Sequence, residues 1–179
     1  GFCKAHGAAF ALPTYQSAWF KTHHPAAFFA GVLTHDPGMY PKRLIVDDAR
    51  AFGVPVLGLD VNASRTQYAV EPVGTGLGVR VSLAQVKGIT QDEVDAIVTG
   101  QPYRSLADFT HRGRVSRPTT ERLVLAGGFD TLHAGARRDL LWHLGDLVEQ
   151  ATVIPDQLAL GVDVDWSPHP TGLAPMTLA

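Results

Sequence analysis

The sequence predicts a mainly α-helical protein with a small β-sheet, and three observations carry that prediction. Apolar residues recur at three- and four-residue spacings up to Gly53, short β-branched runs broken by Gly, Pro, Asn and Ser follow, and helical spacing resumes beyond Leu83. With 45% hydrophobic and 18% charged residues over 179 positions, the composition is that of a globular chain with a core to bury.

From Ala5 to about His24, the residues Ala8, Ala9, Leu12, Tyr15, Trp19 and Phe20 predict an amphipathic helix. Pro13 lies inside it. Lacking an N–H and crowding the carbonyl of Ala9, it predicts a kink or a restart. Pro25 opens a second helix through PAAFFAGVL, at the position where a helix best accepts proline. HDPGMYP reads as a turn, and PKRLIVDDARAFG as a third helix closed by Gly53. The runs VPVLGLDV, QYAVEP and GVRVSL predict the strands. GTGLG, at 74–78, joins two of them, because no helix follows it to complete a phosphate loop.

Beyond Leu83, SLAQVKGITQDEVDAIVTG, SLADFTHRG, RPTTERLVLAGGFDTL and ARRDLLWHLGDLVEQA predict short helical bursts. After Ile154, Pro, Gly and Asp accumulate and periodicity fades, which predicts a loosely ordered tail. The expected organisation is thus a helical and strand-containing part (1–80), paired helical corners (81–152) and a flexible acidic tail (153–179).

Charge follows the same division. Residues 1–79 hold six Lys/Arg against five Asp/Glu, residues 80–138 nine against six, and residues 139–179 six acids and no base, for a net charge of −2. A basic middle suits contact with a polyanion, and an acidic end suits solvation. No run approaches the ~20 apolar residues of a membrane span, and no basic-then-apolar secretory leader opens the chain, so a cytoplasmic setting is expected. The single cysteine, Cys3, forms no internal disulfide and is expected to be a small buried filler.

The most informative local motif is VKGITQDEVDAIV, two helical stretches joined by a turn at Lys87, Gly88, Ile89 and Thr90. Gly88 lets the backbone approach a ligand closely, amides at the mouth of the second helix attract a phosphate oxygen, and the Thr90 hydroxyl caps that helix or bonds the phosphate. A second corner follows at once, with Arg112, Arg114, Ser116 and Arg117 at its turn and Pro118 opening the next helix. Paired corners rich in arginine favour a grip on a nucleic-acid backbone without base reading. An ordinary helical corner and a solvated arginine turn are the plainer alternatives.

No catalytic or metal-binding set emerges. Asp47 and Asp48 are adjacent, point about 100° apart on a helix and read as a solvated face. His23, His24 and His35 do not read as a zinc-ligand set.

Residues 1–64, with FCKAH, LPTYQSAW, HHPAAF and THDPGMYPKR, resemble the later fingers segment of bacterial C-family DNA polymerases, the polymerase III alpha-subunit family, and most of all its error-prone, ImuC-type branch associated with damage tolerance. VKGIT through LAGGFDTL is similar to the tandem helix-hairpin-helix that follows in them, so the likeness covers roughly residues 1–150. The resemblance implies that the chain is a piece of a nucleotidyltransferase, beginning inside the fingers. It implies that Lys4 and His6, at the mouth of the first helix, lie near the nucleotide and template. The family's usual serine between them is Ala5 here, and its usual alanine is Gly7. It further implies primer–template DNA and a deoxynucleoside triphosphate as partners of the parent. The paired palm aspartates that hold Mg²⁺ are not matched in this chain, so no cofactor is expected in the fragment, which alone should be inactive.

In the tail, Gln157, Leu158 and Leu160 match a sliding-clamp ligand of the type Gln-Leu-x-Leu-Phe except that Gly161 replaces the final aromatic anchor. The clamp and other damage-tolerance proteins are therefore candidate partners, and no membrane is. A non-enzymatic helix-hairpin-helix DNA-binding or scaffold module is the alternative function.

Overall fold

The structure, a computed structural model, describes residues 3–133 and 136–151. These residues form seven α-helices and a three-stranded sheet, a mainly helical architecture, and they divide into two compact units. One unit comprises the residues up to Leu57 together with Gln67–Ser82; the other comprises Gly58–Thr66 and the described residues from Leu83 onward.

The first unit is built on α1 (Lys4–His23), α2 (Pro25–His35) and α3 (Lys42–Ala51). Pro25 stands in the first turn of α2, and that helix buries Ala26, Phe29, Ala30 and Leu33 on one face. Asp36 and Gly38 turn the chain with left-handed backbones, and the Gly38 amide donates to Asp36 Oδ1. α3 ends as its glycine predicts. Gly53 takes φ +74°, its amide donates to the Arg50 carbonyl, and Val54 donates back to Ala49, so the last carbonyls of the helix are satisfied. Ala49 and Val54 join the α2 face and Val79 in the buried core.

The sheet of this unit runs β1–β3–β2, with β1 (Val56–Leu57) parallel to β3 (Gly76–Arg80) and β2 (Ala69–Val73) antiparallel to it. Gly74 and Thr75 make the connecting turn, with Gly74 at φ +57°. β1 is shorter than its sequence run, because the chain leaves the sheet after Leu57 to serve the second unit.

α1 does not restart at Pro13, and it departs from expectation in its burial. Its helix continues through Pro13 without a break, and none of its residues is buried; Phe10, Leu12, Tyr15, Trp19 and Phe20 are all exposed. Trp19 instead packs locally against His23 and His24, at ring-centroid distances of 4.6 and 5.6 Å. Cys3, expected as a buried filler, is exposed, since it immediately precedes this unburied helix.

The second unit contains a one-turn 3₁₀ segment (Leu83–Gln85), α4 (Gln91–Gly100), α5 (Leu106–Arg112), α6 (Arg117–Leu125) and α7 (Arg137–Ala151). Its core centres on an aromatic stack in which Phe109 meets Tyr103 at 4.8 Å and Phe129 at 5.0 Å, edge to face. Leu83, Ile97, Leu123 and Leu144 close around them. The strap Gly58–Thr66 is sewn into this core by polar bonds. Asn62 exchanges two hydrogen bonds with the Tyr103 backbone, Gln101 Nε2 donates to the carbonyls of Val61 and Ser64, and buried Asp60 accepts from Thr131.

Candidate nucleic-acid interface

The first hairpin lies between the 3₁₀ turn and α4. Its leading arm is one turn rather than a full helix, because only five residues separate buried Ser82 from Gly88, where the backbone reverses with φ +76°. Arg122 Nη1 donates to the Lys87 carbonyl at 2.7 Å, and a Cβ on Gly88 would sit 2.6 Å from that nitrogen. The left-handed backbone calls for glycine, while the exposed Arg122 tip could shift to admit a Cβ. Ile89 is half-buried against the core and anchors the turn, while Lys87 is exposed. Thr90 is the N-cap of α4. Its hydroxyl accepts the Glu93 amide at 3.2 Å, and Glu93 Oε2 accepts the Thr90 amide at 3.0 Å, a reciprocal capping box. The Thr90 hydroxyl makes the cap, one of the two roles expected of it.

The second corner joins α5 to α6. Gly113 closes α5 through its amide to the Phe109 carbonyl at 2.7 Å, and a Cβ there would lie at the same distance from that oxygen. Arg114 follows with φ +49° and is exposed; Ser116 is the N-cap of α6, and Arg117 and Pro118 open the helix.

The arginines differ sharply in their commitments. The Arg112 guanidinium holds both oxygens of Asp108, donates to the carbonyls of Gly100 and Pro102 at 2.8 Å each, and lies 4.9 Å over the Tyr103 ring. Its hydrogen bonds keep the Asp108 carboxyl at about 2, well below the usual carboxylate range. Arg112, though exposed, thus braces the corner. Arg117 makes an exposed pair with Glu121 four residues on, at 3.0 Å, which water and salt weaken.

Between the corners stands Glu93. Burial alone would raise its carboxyl, but bonds from the Ser116 hydroxyl, the Thr90 and Ser116 amides and the Thr119 hydroxyl outweigh it and hold the group at about 2. The sequence carried one signal for it, the Thr-x-x-Glu capping box; the bonds to Ser116 and Thr119 are long-range and left none.

A family described as "Helix-hairpin-helix motif" matches residues 53–140, a range that takes in the strap, both corners and the start of α7. The error-prone DNA polymerase of Nocardia farcinica is 40% identical over 168 residues, which cover 87% of this chain and 14% of that protein. That of Symbiobacterium thermophilum is 37% identical over 174 residues, covering 83% of this chain and 16% of its own length, and that of Bdellovibrio bacteriovorus 34% over 179, covering 94% and 17%. The chain belongs to the error-prone DNA polymerase family. It spans roughly one-sixth of the length of these error-prone DNA polymerases.

Outside the helix-hairpin-helix, Lys4 is the first residue of α1, exposed, with His6 two residues on in the same first turn and 4.7 Å from the Phe10 ring. Asp47 and Asp48 go separate ways, to Arg50 at 3.3 Å and to Lys21 at 2.7 Å. No grouping of three or more His, Cys, Asp or Glu side chains able to hold a metal occurs among the described residues, and none of their helices is long and apolar enough to cross a membrane. Gln157, Leu158 and Leu160 lie outside the described residues.

Proposed function

We propose that this chain is the part of an error-prone DNA-directed DNA polymerase that grips the backbone of primer–template DNA without reading its bases. The observation that supports this most is the disposition of exposed cations in the helix-hairpin-helix unit: Lys87 beside the Gly88 turn, and Arg114 and Arg117 at the mouth of α6. Cations beside helix N-termini and a turn that admits close backbone approach suit phosphate oxygens and carry no sequence information. In this reading Ile89, Thr90, Arg112 and Ser116 hold the two turns in shape, and the charged contacts come from Lys87, Arg114 and Arg117.

The same reading gives the parent a damage-tolerance role in the cytoplasm, with Mg²⁺ held by its palm. Lys4 and His6 then contribute to the nucleotide cleft, where a lysine at a helix mouth attracts a triphosphate. Any clamp binding by the tail residues Gln157, Leu158 and Leu160 is expected to be weak or lost, since the aromatic anchor of such an interface is replaced by Gly161.

Duplex affinity across a salt series tests the grip. Each phosphate contact contributes about 0.9 to the slope of log affinity against log salt, so Arg114→Ala and Arg117→Ala should each lower the slope by roughly one, equally on unrelated sequences. Unchanged affinity and slope in both variants would reduce the unit to a structural corner.

A further inference from the structure

One carboxylate in the second unit stands where two helix N-termini meet. Glu93 Oε1 accepts the Ser116 amide at 2.9 Å and the Ser116 hydroxyl at 2.6 Å, while Oε2 accepts the Thr90 amide at 3.0 Å and the Thr119 hydroxyl at 3.2 Å. Thr90 caps α4 and Ser116 caps α6, so a single side chain serves the first turns of both. Ser116 makes no side-chain cap of its own for α6. An ionised carboxylate suits this place, because both helix dipoles point their positive ends at it.

The backbone just upstream needs holding. Arg114, with φ +49°, occupies the left-handed region that a residue with a Cβ enters only when its surroundings fix it there. On one side the bend is fixed by the Gly113 amide on Phe109, and on the other by the Ser116 amide on Glu93. Glu93 is therefore the far anchor of the bend that carries Arg114, and Arg117 follows directly in the first turn of α6.

We propose that Glu93 is a positioning residue for DNA: it fastens the arginine corner to the first hairpin, so that Lys87, Arg114 and Arg117 act on one duplex. The inference rests on the DNA-gripping reading above. Its sign distinguishes it from the ordinary effect of an acid. A carboxylate near a phosphate-binding surface repels DNA, so its neutralisation should tighten binding, whereas loss of a positioning residue should weaken it.

The experiment measures binding of the 179-residue chain to a random-sequence duplex by fluorescence anisotropy over a salt series, for the wild type, Glu93→Gln, Arg114→Ala and the double variant. Far-UV circular dichroism and thermal midpoints establish a temperature at which each is folded. Glu93→Gln is expected to bind about three- to tenfold more weakly, with up to about one unit less salt slope. Arg114→Ala should then add little on top of it, the non-additivity of residues acting through one contact. A general loss of stability would lower the thermal midpoint and leave binding at the lower temperature unchanged. Glu93→Asp keeps the charge but shortens the reach, so it too should weaken binding; it serves if Glu93→Gln does not fold. Tighter binding by Glu93→Gln, or an Arg114→Ala effect undiminished in its background, overturns the inference alone. An Arg114→Ala variant with unchanged affinity and slope overturns the gripping reading and this inference together.

Discussion

Glu93 and Asp108 are both held at about 2, and the causes differ. Asp108 is kept ionised chiefly by the Arg112 guanidinium, an ion pair on a surface corner, while Glu93 is kept ionised by neutral hydroxyl and amide donors. Each folded-state value lies below the ordinary carboxylate range of about 4 that the unfolded chain shows. Their contributions to stability are therefore fully present above that range and are lost as the pH falls toward about 2. Glu93→Gln lacks one of them at every pH. The gap between wild type and Glu93→Gln in urea midpoint should accordingly be widest above about pH 5 and close as the pH falls toward 2. Asp108, intact in both, leaves the variant still sensitive to acid. A gap of constant width would show that the carboxylate's charge plays no part in its hold on Ser116 and Thr90.

At the scale of elements, the α5–α6 corner separates arginines that the sequence groups together. Arg112 reaches back to the carbonyls of Gly100 and Pro102 and across to Asp108, so it ties the loop before α5 to the end of that helix. Arg114 is exposed two residues later. Arg112→Ala should thus lower the thermal midpoint and leave the salt slope of duplex binding nearly unchanged while the protein is folded, and Arg114→Ala should do the reverse. Equal loss of slope in both would return Arg112 to the phosphate contacts. The helices themselves were legible because their signals are local: Pro25 at a first turn, Gly53 at a close, Thr90 at a cap. The strands were legible from β-branched runs, though not the early end of β1, since nothing local says that Gly58–Thr66 serves another core through Asn62, Gln101 and Asp60. Likewise the arginines near the turn could be listed from spacing, but their partners, set by the path of the chain between Gly100 and Ser105, could not.

At the scale of the whole molecule, the chain pairs one core built on α2 with another built on the helix-hairpin-helix, and spans about one-sixth of the length of its error-prone relatives. Nucleotidyl transfer by two metal ions requires carboxylates placed across the transferred phosphoryl group. Four of the described acids are engaged elsewhere: Asp47 and Asp48 pair with Arg50 and Lys21, Asp108 with Arg112, Glu93 with two helix caps. In the tail, Asp163 and Asp165 stand two residues apart, outside the described residues and close to Gly161, Pro168 and Pro170. We therefore expect the 179-residue chain to bind duplex DNA yet extend no primer with Mg²⁺ and all four nucleotides. Within a complete error-prone polymerase carrying this segment, the two halves should separate by assay. If Lys4 at the mouth of α1 acts on a triphosphate as proposed, Lys4→Ala should impair nucleotide KM or turnover with duplex affinity retained. Arg114→Ala should weaken duplex affinity with the nucleotide KM retained. Primer extension by the rigorously purified chain would overturn the first expectation, and its loss on Asp163→Asn would trace the chemistry to the tail. A Lys4→Ala enzyme with wild-type nucleotide kinetics would leave Lys4 a surface charge.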